Sequence, residues 1–300
     1  MELNHANINI WQQNLNKSPI SQHDIISSKY LTDIGTNIVA LQEPAINFLH
    51  KTITTKDWVP IYPSMHSKQP DKTRSIILIS TALTSDSWQQ LDFPSGDVTI
   101  IQVKGEWGKL TIFNIYNDGQ HNSTVNLLTK YTHKNANTLG NAKTGNVHVL
   151  WLGDFNRHHP YWDDLADMRL FTNEATNVAE ILIRAIAEAG LEMVLPSGTP
   201  THLHNVSKWW SRLDNIFLLD HSLDALISCD TVPKQCGIHT DHLLILTKLV
   251  LTASTTPPKT THNFRETDWE QFHSTAEAKL LSLDLPSAIT MQAQLVIVCC

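Results

Sequence analysis

The sequence predicts an α/β fold, and three observations predict it. Short runs of apolar and β-branched residues bounded by turn residues alternate with stretches of helical spacing along most of the chain. Hydrophobic residues fill 41% of the 300 positions and charged residues only 17%, enough apolar material for the core of one large domain or two small ones and unlike a disordered chain or coiled coil. No self-similarity with a period of about 20 to 50 residues is present, which excludes solenoids and propellers.

Taken in order, INIWQQN (residues 8–14) reads as a strand. Ser21 and Asp24 make a capping-box pattern ahead of Ile25, Ile26, Leu31 and Ile34, and NIVALQ (37–42) then reads as a buried strand, so the chain opens in a βαβ-like manner. RSIILIS, DVTIIQV and KLTIFNIYN follow as strands, the last two joined by the Gly-containing turn KGEWG. A polar helical stretch covers about 123–139, and VHVLWLGDFN (147–156) is the next strand. The clearest helix spans about 173–189, with Val178, Ile181, Leu182, Ala185, Ile186 and Ala189 on one face and Gly190 as its stop. RLDNIFLL and HLLILTKLVL close the strand set. The Thr/Pro-rich TASTTPPKTT then reads as a linker, which places a domain boundary near residue 250. In the tail (251–300), Thr267 and Glu270 form a second capping box, followed by Trp269, Phe272, Ala276 and Leu280 at helical spacing.

Lys and Arg total 22 against 29 Asp and Glu, a formal net charge of −7, so a nucleic-acid partner must be held by a local basic patch and a histone-like role is excluded. The four cysteines (229, 236, 299 and 300) show no CxxC spacing, which argues against a zinc knuckle or disulfide framework and for a reducing compartment. The first twenty residues lack the basic and apolar regions of a signal peptide, and the longest apolar stretch, 243–251, is broken by Lys248. The expectation is a protein neither secreted nor held in a membrane.

Chemistry-bearing residues recur at strand ends: Asn14, Glu43 in LQEP, Tyr116 in IFNIYN, Asp154 and Asn156 in LGDFN, and Asp241 with His242 in HTDH. Each alone reads as a turn, cap or core residue. Glu43 and Asp154 both leave apolar strands, and carboxylates gathered in this way offer hard oxygen ligands suited to Mg²⁺ rather than zinc. Asp214 in SRLDNIF lies on an apolar strand, where a carboxylate is costly unless paired. Pairing with His242 would set the tautomer and orientation of that imidazole.

The ordered series QQNLNKS, LQEP, NIYN, GDFNRHHPYW, LPSGTPTH, SRLDNIF and TDH, with Asn14 and Glu43 29 residues apart, resembles the endonuclease/exonuclease/phosphatase superfamily, and most closely the apurinic-type endonuclease domain of non-LTR retrotransposons. The resemblance covers residues 5 to about 250. It implies a four-layer α/β sandwich of the DNase I and exonuclease III kind, two packed mixed sheets flanked by helices. It also implies that Glu43 binds Mg²⁺, with Mn²⁺ as an alternative, that Asn14 orients that ligand and the phosphate, and that Asp241 lies at the metal or at a second metal position. Asp154 would position or deprotonate the attacking water, Asn156 and Tyr116 would contact the phosphate, and His242, oriented by Asp214, would stabilise its developing charge. Thr240 stands where relatives carry Ser and keeps the hydroxyl. Lys17, Arg74, Lys208 and Arg212 are candidates for DNA phosphate contacts, as is Arg157, which otherwise solvates a loop. His158, His159 and Trp162 either touch DNA or pack that loop.

The implied activity is nicking of target DNA to leave a 3′-hydroxyl. An intracellular location follows, nuclear if the target is chromosomal. HNFRETDWEQFHS resembles the segment between endonuclease and reverse transcriptase in such elements, so a reverse transcriptase region is expected beyond residue 300 of a full-length element. Two rivals remain: a catalytically silent remnant that only binds nucleic acid or protein, and a zinc hydrolase using His202, His204, His239 and His242.

Overall fold

In the computed structural model the described residues are 5–136, 139, 146–235, 240–252 and 268–281. They build two six-stranded mixed sheets. In the first, β1 (His5–Asn14) lies parallel to β2 (Ile38–Gln42) and antiparallel to β14 (Ile245–Thr252). Strands β4 (Ser75–Ser80) and β3 (Trp58–Ile61) extend this sheet beyond β2, and β13 (Leu226–Thr231) extends it beyond β14. The second sheet has the order β5 (Trp88–Leu91), β6 (Val98–Gly105), β7 (Gly108–Tyr116), β8 (Val147–Asp154), β12 (Asp214–Leu219) and β9 (Leu191–Met193), with β7 and β8 parallel. A small hairpin joins β10 (His202–Leu203) to β11 (Trp210–Ser211).

Every residue of IVALQ in β2 is buried, because the strand is covered on both faces. Ile38 and Ala40 face the core between the sheets, with Ile8, Ile10 and Ile77 of the first sheet and Ile112, Leu150, Leu152 and Ile216 of the second. Val39 and Leu41 point the other way, onto a cluster completed by Ile25 and Ile26 of α1 (Pro19–Ile26) and Leu31 of α2 (Lys29–Asp33). The outer face of the second sheet packs Phe113, Trp151 and Phe217 against Val125 and Leu128 of α3 (Ser123–Lys134) and Ala179, Leu182 and Ile186 of α4 (Asn173–Glu188). The layers therefore run helix, sheet, sheet, helix, the expected α/β sandwich. Burying each Ile or Leu contributes about 1.5–3 kcal/mol, and the two sheets supply the larger share of such residues.

Three local expectations are corrected. Ser18, not Ser21, caps α1, accepting from the Ser21 amide at 3.1 Å, because Pro19 with its preset φ starts the helix. The apolar run through Ile34 is split by Ser28, which caps α2 and accepts from the Tyr30 amide at 3.2 Å. On α4 the buried face is Ala179, Leu182, Ala185 and Ile186, while Ile181 is 38% exposed: the helix meets the sheet through a narrower stripe than its apolar content offers.

The chain divides into two units, residues 1–258 and 259–300. In the second, α5 (Trp269–Leu281) is capped by Asp268, which accepts from the Gln271 amide at 3.0 Å. The predicted cap Thr267, the Thr/Pro-rich linker from residue 253 onward and Cys236, Cys299 and Cys300 lie outside the described residues, and Cys229 is a buried free thiol. No helix among the described residues is long and apolar enough to cross a membrane.

Candidate active site

Two parallel strand pairs, β1 with β2 and β7 with β8, end on one side of the sandwich, and carboxyl ends of parallel strands are where such folds gather ligands. Asn14 ends β1, Glu43 follows β2, Tyr116 ends β7 and Asp154 ends β8. Register places Asp154 directly beside Tyr116 on one side and beside Asp214, the first residue of β12, on the other. Gly153 has φ 148°, and a side chain there would run into the Ile115 carbonyl, so glycine is what lets β8 approach β7 just before Asp154. Glu43 (φ 44°) and Asn156 (φ 49°) also hold left-handed backbone, a strained conformation that the surrounding hydrogen bonds impose.

The Asn14 side-chain amide donates to Asp154 Oδ2 at 2.8 Å, and the Asn156 backbone N–H donates to Oδ1 at 3.0 Å. His242 Nδ1 lies 2.8 Å from Asp214 Oδ2, and Gln12 donates to Asp214 Oδ1 at 3.3 Å. Asp154, Asp214 and His242 form one buried group whose ligand atoms all fall within 4.8 Å of one another. Burial first, then the neighbouring Asp214 charge, pushes the Asp154 carboxyl up to about 7, against the pull of His242 and its hydrogen bonds. Burial opposes the imidazolium of His242, but Asp214, Asp154 and Asp241 outweigh it and raise its pKa to about 9. Burial, followed by the carboxylates of Glu43 and Asp154, holds the Tyr116 phenol well above its usual range, so it remains a proton donor.

A second group shares His242. His202 Nε2 is 3.7 Å from Asp241 Oδ2 and His242 Nε2 is 3.9 Å from Asp241 Oδ1, with ligand atoms again within 4.8 Å. The hydrogen bond from His202 leads the causes that hold the Asp241 carboxyl below the usual range. Glu43 belongs to neither group, so the two residues expected to bind the metal do not share a ligand cluster formed by protein atoms alone. Even so the donor chemistry fits a hard divalent cation: Glu43, Asn14, Asp154 and Asp241 all present oxygen, and the buried Asp154 and Asp214 are faced by one imidazole.

The basic candidates separate. Lys17 and Lys208 are exposed, Lys17 in the loop whose backbone N–H bonds the Glu43 carbonyl at 2.9 Å. Arg212 is corrected: at 1% exposure its guanidinium donates to the carbonyls of Leu195, Pro196 and Trp162 and to Asn215 Oδ1, so it ties β12 to neighbouring loops and cannot reach a phosphate. Arg157 is corrected in the same way: it is 3% exposed and spends its donors on Asn122 Oδ1 and the carbonyls of Gly119, His121 and Asn156. Arg74 is bound at 2.8 Å to both Asp97 and Asp118 and stacks 4.7 Å from the Tyr116 ring centroid, which makes it a buttress for Tyr116 rather than a surface cation. In the HHPYW run, Trp162 is fully buried and donates to the Arg157 carbonyl, so the packed-loop reading holds for it.

Replacing Arg212 by alanine strands several buried carbonyls at about 1–3 kcal/mol each, so a loss of about 3 kcal/mol in unfolding free energy is expected from denaturant titration. An unchanged midpoint with weakened DNA binding would restore the phosphate-contact role.

Three residues outside the expected catalytic set also shape the site, and of these the sequence pointed to Thr240 and His202 but not to Thr201. Thr240 Oγ1 donates to the Asn14 carbonyl at 2.7 Å and accepts from the His242 amide at 3.2 Å, tying the two parts together. Buried Thr201 accepts from the amides of Leu213 and Asp214 at 3.1 Å. His202 sits opposite His242 across a strand bridge, their ring centroids 4.7 Å apart. The consecutive Gln12, Gln13 and Asn14, all buried, were the available signal that β1 enters a polar site. Of the zinc-hydrolase set, His202 and His242 come together, the His204 ring centroid is 6.3 Å from that of His202, and His239 lies outside the described residues.

Residues 110–246 match the family described as endonuclease-reverse transcriptase. No curated protein matches the chain in sequence. Among solved structures, the endonuclease domain of TRAS1, a telomere-specific non-LTR retrotransposon, is similar with TM-score 0.61 at 14% identity, covering 81% of this chain and 98% of its own. The AP endonuclease LMAP from Leishmania major is similar with TM-score 0.63 at 11% identity, covering 81% and 87% respectively. A 3′ phosphatase from Neisseria bound to product DNA hairpin has TM-score 0.61 at 15% identity, covering 81% and 99%. The matched family segment runs from β7 through the Asp241–His242 pair, and the two helix-flanked mixed sheets share their fold with these structures.

Proposed function

We propose that this chain is a nuclease-class phosphodiesterase, and specifically a divalent-metal-dependent DNA endonuclease that nicks by in-line attack of water and leaves a 3′-hydroxyl. One observation carries the reading: the Asn14–Asp154 and Asp214–His242 pairs meet in a single buried group at the parallel strand ends. Asp154, its oxygens held by Asn14 and the Asn156 amide, accepts the proton of the attacking water. The imidazolium of His242, kept charged by Asp214, faces the phosphate as charge develops on it, and Tyr116 donates its phenolic hydrogen there. Glu43, with Asn14 beside it and Asp241 as a further oxygen ligand, would hold the cation, which supplies neutralisation of the non-bridging oxygens.

A nucleic-acid substrate rather than a small phosphoester is supported by the β10–β11 hairpin. It carries exposed Trp209, Trp210 and Lys208 and is bridged through His202 to His242. The Arg169 guanidinium covers one face of Trp209, and the remaining exposed indole surface of Trp209 and Trp210, with Lys208 and Arg169 as cations, suits stacking on bases and contact with backbone phosphate. The similar folds of the TRAS1 endonuclease domain and of the Neisseria 3′ phosphatase bound to a product DNA hairpin support the same substrate.

Incubation with supercoiled plasmid and Mg²⁺ is expected to yield nicked circles that a polymerase extends without prior phosphatase treatment, and EDTA should abolish the conversion. No nicking with Mg²⁺ or Mn²⁺, or nicking indifferent to EDTA, rejects the proposal.

A further inference from the structure

Beside Asp241 and His242 stands a second imidazole, His202, for which the proposed Mg²⁺ chemistry has no use. We propose that His202, Asp241 and His242 form a binding site for a borderline-soft divalent ion of the zinc type, and that filling it stops cleavage because the ion occupies Nε2 of His242. The inhibitory half rests on the proposed nuclease reading; the binding half does not.

Both Nε2 atoms face the same carboxylate, at 3.7 Å from His202 and 3.9 Å from His242. Tetrahedral zinc with bonds of about 2.0–2.2 Å holds neighbouring ligand atoms about 3.4 Å apart, and one ligand atom from each of the three residues already lies within 4.8 Å of the other two, so side-chain adjustment within the site closes it. Each outer nitrogen already has the partner that metal-bound histidines use: His202 Nδ1 lies 3.2 Å from Ser211 Oγ, and His242 Nδ1 lies 2.8 Å from the Asp214 carboxylate. Asp241 Oδ2 accepts from the Asn205 side chain at 2.7 Å, which fixes the third ligand.

The backbone holds this arrangement in place. His202 and His242 oppose each other in an antiparallel bridge, flanked by the bonds Leu203 N–H to Asp241 carbonyl at 2.8 Å and Leu243 N–H to Thr201 carbonyl at 2.7 Å. The side chains are 13%, 14% and 7% exposed for His202, Asp241 and His242, so they are ordered yet reachable. The ion would replace the Nε2 proton of His242, exchanging one positive charge for two opposite the carboxylates of Asp154, Asp214 and Asp241. A fourth position stays open for water. Two imidazoles favour zinc, cobalt or nickel over Mg²⁺, so the site discriminates against the ion proposed to support catalysis.

The test titrates metal-free full-length chain with Co²⁺ alone and follows the visible absorption of low-coordinate cobalt, then displaces it with Zn²⁺. One equivalent of zinc-displaceable cobalt is expected in the parent. His202→Phe should abolish the band, and Ser211→Ala, a milder change that keeps every ligand, should weaken binding about tenfold; circular dichroism verifies folding. At fixed Mg²⁺, zinc should inhibit plasmid nicking, and His202→Phe should need at least about tenfold more zinc for half-inhibition of its own zinc-free rate. No stoichiometric band in the parent, or a band unchanged in both variants, overturns the site. Zinc bound through His202 with nicking unaffected overturns the inhibitory role. A His202-dependent band in a protein that never nicks leaves the metal site standing and removes the nuclease reading instead.

Discussion

Asp154→Asn is expected to lower plasmid nicking by about 10²–10⁴-fold, the range over which a positioned proton acceptor contributes. The change preserves shape, removes the acceptor charge and turns one of two hydrogen-bond-accepting oxygens into a donor facing Asn14 or the Asn156 amide. It also relieves the repulsion between Asp154 and Asp214, two fully buried carboxylates in the same group. That relief opposes the loss of one buried hydrogen bond, so the variant should stay folded by circular dichroism while activity collapses, a combination that ordinary misfolding does not produce. A rate close to that of the parent at neutral pH rejects the role given to Asp154.

The second large effect is at Asp214. Asp214→Asn keeps the side chain in place but removes the charge that raises His242 above its ordinary value, and a loss of about 10²–10⁴-fold is expected, by analogy with other Asp–His pairs. The pH dependence gives the sign. Asp154 must be ionised and His242 protonated, so the parent profile should rise through about 7 and fall through about 9. Asp214 raises both groups, although burial is the larger cause for Asp154, so its neutralisation should move both limbs to lower pH. Asp154, Asp241 and His202 still face His242 and limit the size of the shift. A profile that keeps its limbs shows that Asp214 is structural only. For stability, the Asp214–His242 pair contributes fully below about 6.5, the ordinary histidine value, and this contribution is lost as pH rises through about 9.

The fold was legible because its signals are local. IVALQ and SIILIS each carry four apolar residues in succession, as strands covered on both faces require, and the first parallel pair, β1 with β2, emerges from βαβ-like spacing. The helix caps were less legible, since Ser18 and Ser21 are equally good capping residues in isolation and Pro19 decides between them. The site was legible where a polar residue interrupts an apolar strand, as at Asp214 and Asp154. The arginines were not, because Arg157 and Arg212 look like surface cations by type and sit near the motifs in sequence. Their guanidiniums turn inward to carbonyls left over where loops meet β8 and β12.

The sequence by itself determined eight of the fourteen strands among the described residues (β1, β2, β4, β6, β7, β8, β12 and β14), the oxygen-rich residues at their ends and the need for Asp214 to find a partner, since each follows from patterning and the cost of burying charge, whereas β3, β5, β9, β10, β11 and β13 carry no comparable pattern. Only the tertiary structure decided which groups share space. Register brought Asp154 between Tyr116 and Asp214, and the strand bridge set His202 against His242 although 40 residues separate them. Arg74 was drawn onto Asp97 and Asp118 and against the Tyr116 ring. These outcomes depend on pairings between segments distant in the chain, where the free energy comes from closing the two sheets over a common core, and no local pattern encodes which side chains that closure brings together.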